Sequence, residues 1–138
     1  MVSTGVKPLD DCIEKFNELK MKQTFRYIIY KIEGNNIIID ICGQREDTYE
    51  DFIKTIAKDS PRYAVFDYYF KSKEVPPREI KKLIFIFYCP DTASLKEKML
   101  YASTKEDFKK KFVGIGKQIE AQDVSDFDAN SIEKELLM

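Results

Sequence analysis

Three apolar stretches constrain this chain most: residues 25–32 (FRYIIYKI), 37–42 (IIDIC preceded by Ile37) and 81–88 (KKLIFIFY). Their β-branched and aromatic residues mark them as strands. A half-buried strand alternates apolar with polar positions, but here neighbouring positions are apolar together, as in Ile28-Ile29 and Leu83-Ile84-Phe85-Ile86-Phe87. Both faces of such a strand must be covered. Gly34-Asn35-Asn36 supplies hairpin chemistry between the first two, and residues 63–70 read as another strand. The expectation is a sheet with helices packed on both sides.

The helices come from periodicity. Residues 9–21 carry an apolar stripe at Leu9, Cys12, Phe16 and Leu19, with Asp10 and Asp11 in the first turn and Lys20 and Lys22 at the end. Residues 48–57 begin with Thr48-Tyr49-Glu50-Asp51, close to a capping box, and Ser60-Pro61 breaks them. Residues 119–121 read as a short edge strand and 131–137 as a short last helix. Residues 1–8 lack periodicity and are expected to form a mobile arm. One domain is expected over 1–138.

Residues 90–112 hold the longest helix. Cys89-Pro90 stops the preceding strand, Asp91, Thr92 and Ser94 are candidate caps, and neither Gly nor Pro follows until Gly114. Lys98, Lys105 and Lys109 share one face of it. Its apolar residues divide into two sectors about a third of a turn apart: Leu95, Met99 and Ala102 in one, Tyr101, Phe108 and Phe112 in the other. One surface cannot bury both on a straight helix, so a bend near Ser103 is expected, where Ser103-Thr104-Lys105-Glu106 repeats a capping-box pattern. Periodicity alone fits an ordinary packed helix with a solvated Lys face.

Charge excludes several function classes. The net charge is −1, which argues against a general nucleic-acid binder. The last third is polarised, with seven Lys against three acidic residues over 96–117, then six acidic residues and only Lys134 from Glu120 on. Three scattered cysteines suggest reduced thiols, and no apolar run approaches membrane-spanning length, so a cytoplasmic protein is expected. There is no His, which removes the commonest general base and metal ligand. No phosphate-cradling glycine loop or metal-ligand spacing is present either. Neither enzyme activity nor a cofactor or metal is expected.

Pro90-Asp91-Thr92-Ala93, Lys98-Met99 and Tyr101-Ala102-Ser103 resemble the PDTAxxxxKMxYASSKD signature of the actin-depolymerising factor/cofilin family. Thr104 replaces the second Ser, and Glu106 stands at the acidic position. Gly5-Val6, residues 16–20 (FNELK), residues 62–68 (RYAVFDY), Gly114, Gln122 and Asp123 extend the likeness over essentially the whole chain.

The resemblance implies an α/β (α+β) ADF-homology fold: a mixed, mostly antiparallel central sheet with a parallel edge strand, sandwiched between helices. It implies a monomer that binds monomeric and filamentous actin, prefers the ADP-bound form, and severs and depolymerises filaments. Carried over by position, the primary actin surface is Ser3, Thr4, Gly5, Val6, Lys96, Lys98, Met99, Lys105, Lys109 and Lys110. The filament-side surface includes Lys82, Glu133 and Lys134. Lys105, Lys109 and Lys110 are also candidates for phosphoinositide headgroups at a membrane surface.

The departures define an alternative. The family's phosphorylated Ser directly precedes Gly-Val; here Thr4 holds that place and Ser3 lies one further out, so both are phosphorylation candidates. Ile80 stands where a basic residue is common, and the last helix carries Glu133-Lys134-Glu135. A filament side-binder or monomer binder without severing activity therefore stays open.

Overall fold

The computed structural model describes residues 5–137. Their apolar stretches pair into a six-stranded sheet of β1 (Lys7–Pro8), β2 (Phe25–Glu33), β3 (Asn36–Gln44), β4 (Arg62–Lys71), β5 (Glu79–Tyr88) and β6 (Ile115–Ala121), in the order β1-β3-β2-β4-β5-β6. The β3-β2-β4-β5 pairs are antiparallel, whereas β1 and β6 run parallel to their neighbours. Both edges are thus parallel, where one was expected. The helices are α1 (Asp10–Lys22), α2 (Tyr49–Ile56), α3 (Leu95–Lys109) and α4 (Ala129–Leu137).

Each strand that is apolar on both faces feeds two cores. On one face, Tyr30, Tyr63 and Phe85 pack under Phe16 and Leu19 of α1 and Phe108 of α3. On the other, Ile29, Phe66 and Ile86 pack under Phe52 and Ile56 of α2 and Ile132 and Leu136 of α4, with Phe127 from the 3-10 turn Val124–Phe127. The helices fall where capping chemistry allows. Thr48 and Asp51 complete a reciprocal capping box at α2, and Gln23 ends α1 in the left-handed conformation (φ 55°).

Further details differ from the sequence reading. Lys7 and Pro8 form the edge strand β1 instead of belonging to a mobile arm: the Lys7 amide donates to Asn35 O and the Leu9 amide to Ile37 O, both at 3.0 Å. Backbone pairing anchors them, which side-chain periodicity does not register. Helix α3 is also shorter than 90–112, with Ser94 as its cap accepting from the Glu97 amide at 3.1 Å. It runs unbroken through Ser103, and no second helix start forms there. The Ser103 and Thr104 hydroxyls turn back to donate to Met99 O (2.5 Å) and Leu100 O (2.8 Å). Of the two sectors, Tyr101, Phe108 and Phe112 are buried, while Leu95 and Met99 stay 73% and 61% exposed.

Candidate functional site

Helix α3 is docked by its aromatic residues. The Phe108 ring lies 5.1 Å from Tyr30, 5.3 Å from Tyr63 and 4.8 Å from Phe112. Docking this sector turns the opposite one to solvent, so Leu95, Lys96, Met99, Ala102 and Lys110 form the exposed face. Exposed apolar groups interleaved with cations are suited to a partner that is acidic and partly apolar.

The expected lysines separate into two groups. Lys96 and Lys110 are exposed and Lys98 is half-buried, and none of the three has an ion pair among the described residues. Lys98 lines a cleft of about 660 Å³ with Cys89, Glu120 and Gln122. Burial raises the Cys89 thiol pKa, while the Lys98 charge opposes that shift. Lys105 and Lys109 point sideways onto β6. Lys105 pairs with Glu120, lies 3.5 Å from Glu106 and sits 5.8 Å over the Phe87 ring. Lys109 donates to Gln118 Oε1 at 2.6 Å and pairs with Glu106 at 3.2 Å. The Lys109 hydrogen bond is the leading cause holding the Glu106 carboxyl below its ordinary range.

Val6, Lys7 and Pro8 lie beside this helix. Val6 packs on the α1/α3 core, and Gly5 is exposed at φ 78°, a conformation that favours glycine. Val6, Lys7 and Pro8 share a cleft of about 760 Å³ with Thr104, Phe108, Lys110 and Lys111. Ser3 and Thr4 lie outside the described residues.

The second surface is on the α2/α4 face. Lys82 stands opposite Tyr68 in the β4-β5 register, and the Tyr68 hydroxyl donates to Glu133 of α4 at 2.7 Å. The aliphatic stem of Lys82 lies over Gly116, where an added Cβ would meet three Lys82 carbons at 3.4 Å. Glu135 pairs with Lys117 of β6 at 3.2 Å. The acidic residues of α4 are therefore tied to the domain, while Lys134 remains exposed. It lines a 320 Å³ pocket with Phe70, Lys71, Lys73 and Leu137. Lys71 and Lys73 carry no motif that places them on this surface. They lie 61 or more residues from Lys134, and only the β4-β5 pairing and the packing of α4 bring them together.

A family model described as "cofilin/tropomyosin-type actin-binding protein" matches residues 5–137. The chain belongs to this family of actin-binding proteins. It is 37% identical to actophorin of Acanthamoeba castellanii over 131 residues, covering 94% of this chain and 93% of that protein. It is 40% identical to actin-depolymerizing factor 10 of Arabidopsis thaliana over 132 residues, covering 94% and 93%. Among solved structures, Streptomyces griseoflavus cofilin superposes with a TM-score of 0.84 at 28% identity, covering 95% of this chain and 96% of that one. Plasmodium berghei actin depolymerization factor 2 gives 0.79 at 35% identity, covering 99% of both. The described residues contain no helix long and apolar enough to cross a membrane.

Proposed function

We propose that this chain, acting as a monomeric single-domain protein on the cytoplasmic actin cytoskeleton, binds actin monomers and filaments, prefers ADP-actin, and promotes severing and subunit loss. One observation carries the reading: the outer face of α3 presents Met99 and Lys96, with Lys110 at its end and Lys98 at its edge, none of the three lysines ion-paired among the described residues, and Val6 lies in a cleft beside it. Charge-assisted contacts from unpaired cations contribute more than neutral ones, and here they break no internal pair. The filament-side surface is Lys82, Glu133 and Lys134, extended by Lys71 and Lys73.

Sedimentation of purified actin filaments tests the proposal. Severing and depolymerisation lower the pelleted actin mass and raise the number of filament ends. A side-binder pellets with filaments of unchanged mass, which would refute turnover activity. The same face is a candidate for phosphoinositides through Lys105, Lys109 and Lys110. Only Lys110 meets a headgroup without giving up an internal partner, so phosphoinositide vesicles are expected to compete with actin weakly.

A further inference from the structure

The side chains of α3 leave its rotation on the sheet underdetermined over the first two turns. Among residues 95–109 the buried ones are Tyr101, Thr104 and Phe108, so Tyr101 is alone in facing inward near the start. Leu95 and Met99 are large and apolar, yet exposed. Hydrophobic burial by itself would turn them toward the sheet at least as readily as a phenol. Phe108 and Phe112 fix the far end of the helix, and over its first two turns polar contacts add to that selection.

Two hydrogen bonds join Tyr101 to the sheet, one at each end of the residue, and the Arg62 side chain of β4 also reaches its hydroxyl. At the ring end, its hydroxyl accepts from the Ile32 amide at 2.8 Å. That amide belongs to β2 beyond its pairing with β4, which stops at Tyr30-Tyr63. The same register carried two residues on would set Ile32 against Pro61, whose carbonyl accepts from Arg62 Nη1 at 2.8 Å. At the backbone end, the Tyr101 carbonyl accepts from the hydroxyl of Tyr63, a fully buried residue of β4. The rings of Tyr63 and Tyr101 lie 5.2 Å apart. Rotating α3 to bury Met99 would withdraw both contacts together and strand a part-buried amide and a buried hydroxyl.

We infer that Tyr63 and Tyr101 are positioning residues for actin binding: their two hydrogen bonds lock the rotation of α3 that presents Lys96 and Met99 outward. Neither side chain needs to touch actin. The inference rests on the reading that the outer face of α3 meets actin, and its test separates the two.

The variants are Tyr63→Phe, Tyr101→Phe and the double variant, with Phe127→Leu as a control that weakens the opposite core. Each is measured for actin affinity under conditions where it is fully folded. Two further readouts do not involve actin: the Met99 methyl resonance and the exchange rate of the Ile32 amide. The expected result is a shifted Met99 methyl, faster Ile32 exchange in Tyr101→Phe, and at least a ten-fold loss of affinity in the double variant, with Phe127→Leu near wild type. If the double variant does not fold, Tyr63→Phe alone decides, because it keeps the ring and the Ile32 bond. An unmoved Met99 methyl overturns the lock whatever happens to affinity. A moved methyl with unchanged affinity overturns the positioning role, as does an equal affinity loss in Phe127→Leu. The reading of the face itself is tested separately by Lys96→Ala/Lys98→Ala, which leaves the lock intact.

Discussion

Replacing Lys105 by Met keeps the length of the stem and removes the charge that ties α3 to β6. The Lys105 side chain is 15% exposed and its partner Glu120 57% exposed. A partly exposed ion pair of this kind contributes about 0.2–1 kcal/mol. The cation over Phe87 adds about 0.5–1 kcal/mol. Lys105→Met is therefore expected to cost about 1–2 kcal/mol, lowering a urea midpoint by roughly 0.5–1 M. A double-mutant cycle with Glu120→Gln should show a coupling of about 0.5 kcal/mol that shrinks in 1 M salt. Actin affinity should change no more than a few-fold. Lys96→Ala/Lys98→Ala should behave in the opposite way. Neither lysine has an ion pair among the described residues, so stability should stay within about 0.5 kcal/mol. Two charge-assisted contacts of about 1.5 kcal/mol each would weaken actin binding about 150-fold. Circular dichroism in urea and titration of labelled actin measure both quantities. If Lys105→Met left the midpoint unchanged and cut affinity as deeply as the Lys96/Lys98 pair, the division of the lysines would be wrong.

Three further outcomes are expected. Asp51 and Asp128, held below the ordinary carboxylate range mainly by backbone hydrogen bonds from Thr48 and Ser131, and Glu106, held there mainly by Lys109, favour the folded state above that range. Their contribution is lost as pH falls through their folded values, beneath the ordinary carboxylate range, and with no His the denaturation midpoint should be level from pH 6 to 8; a step in that window would contradict this. Gln23→Gly should stabilise the fold by about 0.5–1 kcal/mol, because a side chain at φ 55° is strained where glycine is not, and an unchanged thermal midpoint would show the strain to be absent. Ser3→Glu or Thr4→Glu should lower actin affinity without lowering stability, by adding a negative charge just before Gly5-Val6 in the chain; binding within a few-fold of wild type for both would remove the arm from the interface.

Much of this molecule is legible in its sequence because burial leaves a periodic trace. Strands apolar on both faces require helices on both sides, and the two cores meet that requirement through Tyr63 and Val65 on one face and Ala64 and Phe66 on the other. Thr48 and Ser94 mark helix starts by local capping, and the motif around Lys98-Met99 and Tyr101-Ala102-Ser103 points to the actin-binding family. What remained hidden depends on contacts between residues far apart in the chain. Leu95/Met99 and Tyr101/Phe108 are comparable apolar sectors in one dimension. Only the sheet beneath, with the Ile32 amide left beyond the end of β4 and the Tyr63 hydroxyl in reach, decides which is buried. Lys98 and Lys105 look alike at helical spacing, yet Glu120 on the neighbouring strand engages one and leaves the other unpaired. Lys7 and Pro8 carry no apolar pattern, and their place as an edge strand comes from backbone hydrogen bonds, which any sequence with free amides can make once the chain passes beside β3.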